Sequence, residues 1–269
     1  MAELRYEFVP ALSGSGAHVG SYRRRLPVNL VRMYENALDW EHLPHLHKSS
    51  FSALDLLDAG AWGWRANVVD QRKGTSSVIE LRLDRDARRW ITRTIEGPAK
   101  GAEIWTHVFE VTPQALDIVV DFFVPDVDAA QREKVGRAYA RAYEVLYDED
   151  VRMMTERQQQ LDRRIDGVQT TDTVSLGTLD EISAPLTFTL SDRLFVLDKT
   201  GDDWVVYPER CPHQMGPLAL AEDIPEQVHC AWHGYRFDLQ SGECLGDSNC
   251  RLGRRPQVRI EADQLSVHW

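Results

Sequence analysis

The chain has 269 residues, with 31 basic and 42 acidic side chains and a formal net charge of −11. Hydrophobic residues make up 43% and charged residues 27%, which is typical of a globular protein and excludes global disorder. The acidic balance argues against a nucleic-acid-binding surface, because such a surface must neutralise phosphates. No apolar run approaches the ~20 residues that span a bilayer, and residues 1–20 lack a signal-peptide pattern, so we expect a cytoplasmic protein.

The first part of the chain predicts an α+β unit. Residues 28–47 have helical character, interrupted at Pro44. Residues 126–164 contain no proline and a single glycine, and they predict one long helix. Between them, apolar runs separated by turn residues predict strands at residues 52–57, 62–69, 78–83, 90–95, 104–111 and 118–124.

The predicted long helix has an apolar stripe that continues through an acidic residue. Asp150 lies at helical spacing from its apolar neighbours, and a charge on a buried face is costly unless it is paired or bound to a metal. Asp150 is therefore a candidate ligand, and a solvated acidic turn at residues 148–150 is the alternative. The apolar members of the stripe are Val135, Tyr139, Ala142, Leu146 and Met153.

The second part of the chain predicts a small all-β domain. Residues 166–180 are rich in Thr, Asp and Gly and predict a linker. We place the two domains at residues 1–168 and 169–269. The predicted strands of the second domain lie at residues 187–189, 194–197, 204–207, 258–260 and 265–268.

Two short segments of the second domain each offer one thiolate and one imidazole. They read Cys211-Pro-His213 and Cys230-Ala-Trp-His233. Such a set binds either zinc or a two-iron cluster with both histidines on one iron. Zinc sites usually pair like ligands within a loop, whereas each segment here mixes them, so the pattern favours the cluster. The remaining cysteines, Cys244 and Cys250, are expected to be small buried residues.

The pattern C-P-H-x16-C-x2-H-G-Y-x-F resembles that of Rieske [2Fe–2S] domains and covers roughly residues 173–269. The resemblance implies that Cys211, His213, Cys230 and His233 are the cluster ligands. The loops lack the extra cysteine pair of many membrane-complex Rieske proteins, so the sequence is more similar to oxygenases and soluble ferredoxins.

A second group of histidines, His42, His45 and His47, lies far away in the sequence. Two histidines and one carboxylate with open positions form the facial triad of non-heme iron(II) oxygenases. Spacing alone does not select the pair: a straight helix places His42 and His45 on one face, whereas a bend at Pro44 brings His42 and His47 together.

The segment N-x2-D-x2-H-x4-H resembles the mononuclear-iron motif of Rieske non-heme iron oxygenases. The resemblance implies that His42, His47 and Asp150 bind iron(II). It implies that Asp39 links a Rieske histidine to the iron site across a subunit boundary, and that Asn36 lies beside the iron. It gives His45 no role.

The resemblance also implies a START-like (SRPBCC) helix-grip catalytic domain, although family members usually place the Rieske domain first. The implied function is a terminal oxygenase that uses O₂ to hydroxylate or demethylate a small organic substrate. An NAD(P)H-dependent reductase or ferredoxin would donate electrons, and the implied assembly is a homotrimer. The alternatives are a Rieske electron-transfer protein fused to a ligand-binding START-like domain without oxygenase activity, and a zinc-stabilised binding module.

We expect the substrate pocket between the sheet and the long helix. Strand alternation places Trp64, Trp105, His107 and Phe109 as candidate lining residues, with ordinary core or surface positions as the alternative.

Overall fold

A computed structural model describes residues 16–163, 172–246 and 249–269. The chain forms two compact units, Met1–Thr155 and Glu156–Trp269. Among the described residues, no helix combines the length and the apolar character that a bilayer span requires.

Some predictions concern residues outside the described ranges. The boundary between residues 168 and 169 lies within the undescribed residues 164–171, as does the first part of the predicted linker. Most of the N-terminal segment that lacks a signal-peptide pattern also lies outside the described residues.

The first unit is built on a seven-stranded antiparallel sheet with the strand order β1-β7-β6-β5-β4-β3-β2. Strands β2 to β7 confirm the six predicted runs, with ends that differ by a few residues. Strand β1 was not predicted: it carries three consecutive arginines and pairs with β7 at the sheet edge. The strands are β1 Ala17–Leu26, β2 Phe51–Gly60, β3 Gly63–Asp70, β4 Ser76–Asp84, β5 Arg89–Glu96, β6 Glu103–Thr112 and β7 Ala115–Val124.

Two short helices occupy the segment that was predicted to be an interrupted helix. Helix α1 spans Leu30–Leu38, and the side chain of Asn29 accepts a hydrogen bond from the Arg32 N–H at its start. Helix α2 spans Leu43–Leu46. Pro44 lies in the first turn of α2, where the missing N–H is not needed, so the bend precedes the proline.

The long helix α3 spans Arg132–Asp162, after a short 3₁₀ turn at Ala129–Gln131. Its buried stripe differs in part from the predicted one, because Ala142 is exposed. The stripe follows i+4 steps through Tyr139, Tyr143 and Tyr147 and then reaches Asp150. Phe122 on β7 packs against the first two of these rings, with centroid distances of 5.3 Å to each. These contacts fix the rotation of α3 on the sheet.

A close approach between two glycines seats the start of α3 on β1. A Cβ atom added at Gly136 would lie 2.1 Å from the backbone oxygen of Val19 and 3.2 Å from Cα of Gly20. Backbone cannot yield to such an overlap as a flexible side chain can. The only glycine of α3 is therefore a packing requirement.

The second unit contains three small antiparallel sheets, with strand orders β11-β10-β9, β12-β13-β14 and β15-β16-β8. Residues 173–178, which were predicted to belong to a linker, instead form β8 and pair with β16. The strands are β8 Thr173–Thr178, β9 Leu186–Leu190, β10 Arg193–Thr200, β11 Asp203–Pro208, β12 Leu218–Leu220, β13 Gln227–Cys230, β14 Arg236–Asp238, β15 Gln257–Glu261 and β16 Gln264–His268. The α+β fold class, with a large antiparallel sheet and long helix followed by a small all-β part, is confirmed.

Candidate metal centres

Two histidines and one aspartate converge in the first unit. His42 and His47 flank the short helix α2, and Asp150 projects from α3. Oδ1 of Asp150 lies 3.5 Å from Nε2 of His42 and 3.1 Å from Nε2 of His47. The three residues are buried, and one potential ligand atom from each lies within 4.8 Å of the others. Two imidazoles and a carboxylate form the donor set of a non-heme iron(II) facial triad.

A carboxylate lies behind each of the two imidazoles. Nδ1 of His42 lies 3.6 Å from an Asp39 carboxylate oxygen, and Nδ1 of His47 lies 2.7 Å from Glu149 Oε2. A carboxylate at one ring nitrogen favours the proton there and directs the other nitrogen to a metal. Both Nε2 atoms accordingly face Asp150.

Asn36 and Glu149 complete the surroundings of Asp150. The Asn36 amide donates a hydrogen bond of 3.0 Å from Nδ2 to Oδ1 of Asp150. The role of Glu149 was not predicted, because residues 148–150 also fit a solvated acidic turn. Its position next to Asp150, a predicted ligand, was the signal in the sequence that could have indicated this role. His45 is half-buried and is not part of the converging group.

The electrostatics of the group fit a divalent cation. Burial works to lower the pKa of His42, but the carboxylates of Asp150 and Asp39 outweigh it and raise the pKa to about 10. Burial works to raise the pKa of Asp150, and the hydrogen bonds from His42 and His47 hold it below its usual range. The group therefore favours a positive charge between its buried carboxylates, and a divalent cation can supply this charge.

A cavity of about 120 Å³ adjoins the three residues. Trp64 lines it, as predicted, and the Trp64 indole N–H donates to the backbone oxygen of Ala37 at 3.0 Å, which ties β3 to α1. Most of the wall is aromatic or aliphatic. The other apolar lining residues are Ala37, Leu43, Phe51, Ile79, Leu81, Trp90, Leu146, Tyr143 and Tyr147.

The other three predicted lining residues, Trp105, His107 and Phe109, do not line this cavity. Their neighbours on β6, Ile104 and Val108, belong to the main apolar core. Because side chains alternate along a strand, Trp105, His107 and Phe109 point to the opposite face of the sheet. These three residues therefore occupy the ordinary core and surface positions that were the alternative.

The four predicted cluster ligands come together in the second unit. Cys211 and Cys230 are each 1% exposed, and the rings of His213 and His233 lie 4.6 Å apart at an interplanar angle of 78°. A hydrogen bond between the two thiols raises the pKa of Cys211 and lowers that of Cys230, so the pair readily holds a negative charge. Two sulfur and two imidazole donors fit a [2Fe–2S] cluster with unlike irons.

The two ligand loops have the same backbone design. In each, the cysteine N–H donates to the carbonyl oxygen five residues later, and its own carbonyl accepts from the N–H four residues later. The fourth residue after the cysteine has positive φ, 64° at Met215 and 67° at Gly234. Equivalent turns thus position the side chains of Cys211 and Cys230.

At Gly216 the first ligand loop lies close to Cys230, a predicted ligand in the second loop. A Cβ atom at this position would lie 2.8 Å from Sγ of Cys230 and 2.9 Å from the ring of Trp232. Trp232 is itself buried, so neither neighbour has free space. The absence of a side chain at Gly216 permits the two loops to meet.

The last two cysteines differ from the prediction. Cys244 and Cys250 are half-buried rather than buried. They lie in the segment that follows β14.

Residues 172–252 match the family model of the Rieske [2Fe-2S] domain. This part of the chain is a Rieske domain. Its four ligand types, in the two equivalent loops described above, agree with that assignment. The group of His42, His47 and Asp150 lies outside the matched residues.

Two curated relatives each match less than a quarter of the chain. Pheophorbide a oxygenase from Oryza sativa subsp. japonica is 37% identical over 65 residues, which is 23% of this chain and 12% of the relative. Methylxanthine N1-demethylase NdmA from Pseudomonas putida is 32% identical over 60 residues, 22% of this chain and 17% of the relative. The matches therefore span less than a fifth of either relative.

Among solved structures, a START superfamily protein from Mycobacterium smegmatis is similar at 15% identity and a TM-score of 0.37. The match covers 52% of this chain and 97% of that protein.

Proposed function

We propose that the chain is a terminal oxygenase of the Rieske non-heme iron type. The observation that carries the proposal is the convergence of His42, His47 and Asp150 beside an apolar cavity, in a chain that also has a Rieske domain. Such a triad is the ligand set of oxygen-activating iron. A binding module without catalysis has no need for a buried, charge-rich donor set, because burying these groups is costly.

Each set of ligands would hold one cofactor. Cys211, His213, Cys230 and His233 would hold the [2Fe–2S] cluster, and His42, His47 and Asp150 would hold iron(II). When bound, the cluster supplies single electrons and the iron supplies the chemistry that activates O₂.

The surrounding residues of the chain prepare the iron site. Glu149, 2.7 Å from Nδ1 of His47, favours the proton on that nitrogen and leaves Nε2 of His47 for the metal. Asp39 lies behind His42, 3.6 Å from its Nδ1 atom. Asn36 fixes one oxygen of the Asp150 carboxylate. By resemblance, Asp39 has the further role of linking a Rieske histidine to the iron site between subunits.

The composition of the cavity walls indicates the kind of substrate that the site would accept. Aromatic and aliphatic side chains make up most of the lining, and the polar lining residues are Asn36, Asp39 and Thr92 together with the three candidate ligands. We therefore propose a small, largely apolar organic substrate that is hydroxylated or demethylated. The names of the two relatives, an oxygenase and an N-demethylase, support oxidation of this kind. Electrons would come from an NAD(P)H-dependent reductase or ferredoxin, and the proposed assembly is a trimer in the cytoplasm.

Isotope labelling tests this proposal. Iron-loaded protein is reduced chemically without air and then exposed to ¹⁸O₂ with a panel of small aromatic, N-methyl and O-methyl compounds. We expect ¹⁸O in a hydroxylated product, or release of formaldehyde together with a demethylated product, and neither with His42→Ala although its Rieske spectrum is retained. Cluster reoxidation without labelled product across the panel, equal in both proteins, would favour the electron-transfer alternative.

A further inference from the structure

Two cysteines of the second unit are not used by either metal centre. Cys244 and Cys250 are six positions apart and half-buried. The segment of Cys244 is firmly held on one side by β14: Cys244 pairs with Phe237, and the Leu245 N–H donates to the Arg236 oxygen at 2.8 Å.

On its other side, the same segment meets the returning chain in antiparallel register. Glu243 pairs with Arg251, and the Leu252 N–H donates to the Gly242 oxygen at 2.9 Å. These two neighbouring pairs fix the register. The next pair in the same register is Cys244 opposite Cys250.

Opposed residues of antiparallel strands point to the same face, with Cα atoms roughly 4.5–5.5 Å apart. This separation lies within the range of about 4.4–6.8 Å that a disulfide requires. Glu243 and Arg251, one step away, point to the opposite face. The strand pairing thus places the two thiols on one side.

We propose that Cys244 and Cys250 form a reversible disulfide by exchange with a low-molecular-weight disulfide such as oxidised glutathione. One thiolate attacks the small disulfide, forms a mixed disulfide and releases one glutathione thiolate. The second cysteine thiolate then displaces the other glutathione. The two protein thiols lose two electrons and two protons in total, and the small disulfide is reduced to two thiols.

Trypsin separates this pair from the cluster ligands. Cleavage after Arg210, Arg236 and Arg251 gives one peptide of residues 211–236, with Cys211 and Cys230, and another of residues 237–251, with Cys244 and Cys250. Cluster-loaded protein is incubated anaerobically with oxidised glutathione, quenched with acid, alkylated and digested. The loaded protein is used because bound iron protects the ligand thiols.

We expect the 237–251 peptide to be lighter by two hydrogens and to take up no alkylating agent in most molecules. Cys244→Ser and Cys250→Ser should each retain a single, unresolved glutathione. Wild-type protein that carries glutathione on its cysteines without the internal bond, or that stays fully alkylated, would overturn the proposal.

A variant with one cysteine moved by a single position is the control, because it tests whether closeness in the sequence alone is enough to form the disulfide. The double variant Glu243→Cys/Cys244→Ser keeps nearly the same loop length and the same tryptic sites but directs the first thiol to the opposite face. We expect mixed disulfides with glutathione in place of the internal bond. Equal cross-linking of the shifted and native pairs would show that the register does not position them, and would also overturn the proposal.

Discussion

Nδ1 of His47 lies 2.7 Å from a carboxylate oxygen of Glu149, the residue that immediately precedes Asp150 on α3. One turn of helix therefore supplies both a predicted ligand and the group that orients another. This arrangement couples the rotation of α3 to the position of α2. It makes Glu149 a positioning residue, since it acts through His47.

Glu149→Ala should weaken metal binding at the mononuclear centre by roughly 10–100-fold, as is typical for the loss of a partner behind a ligating histidine. The measurement is the Kd for cobalt(II) or iron(II) of protein whose mononuclear metal has been removed. Asp148→Ala is the matched control, because Asp148 is exposed and pairs with Arg24 on β1. Equal losses in both variants would contradict the role given to Glu149.

Metal binding should release protons. The pKa of His42 is raised to about 10 in the metal-free centre, so this imidazole carries a proton at neutral pH, whereas a metal needs its lone pair. Below that pKa we expect about one proton released from His42 per metal and an affinity that rises about tenfold per pH unit. Calorimetry in buffers of different ionisation enthalpy measures the number of protons released for each metal ion that binds. Binding without proton release at pH 7 would contradict the protonated centre.

Gly216→Ala should lower the occupancy of the Rieske cluster. The added methyl group would meet Sγ of Cys230 and the buried Trp232 ring, so the two ligand loops must separate. Iron and acid-labile sulfide per chain, together with the visible spectrum, measure the effect. Gly253→Ala is the control, because a Cβ at Gly253 would contact nothing within 4 Å. Full occupancy in Gly216→Ala would show that the loops tolerate the methyl group.

Gly136→Ala should destabilise the first unit, although the same change in an ordinary helix stabilises by ~1 kcal/mol. The added Cβ would overlap the backbone of Val19, and such overpacking costs about 1–3 kcal/mol. Urea unfolding, monitored through the helix content, measures the change in the free energy of unfolding. A higher unfolding midpoint than that of the wild type would mean that α3 can move away from β1 without cost.

Much of the fold was predictable because its apolar pattern is strong. Six strands of the large sheet and the long helix follow from hydrophobic runs and from the absence of proline. Strand β1 was missed because half of its residues are polar and it lies at an edge. Strand β8 was missed because its Thr and Gly residues are also typical of linkers, and only pairing with β16 identifies it.

The candidate sites were predictable in their ligands and less so in their surroundings. Side-chain type and motif selected His42, His47 and Asp150, and the structure places these three together. Glu149 and the walls of the cavity depend on the rotation of α3 and on which face of each strand turns inwards. Neither property is encoded in the spacing of a single segment.

The central claim is that the chain holds a cluster and a separate iron at once. Iron, acid-labile sulfide and zinc per chain, measured on anaerobically purified protein, test it most directly. We predict about three irons and two sulfides, with little zinc, and the loss of one iron but no sulfide in His42→Ala. About two irons and two sulfides in both proteins, unchanged after iron(II) is added back, would contradict the claim and leave an electron carrier.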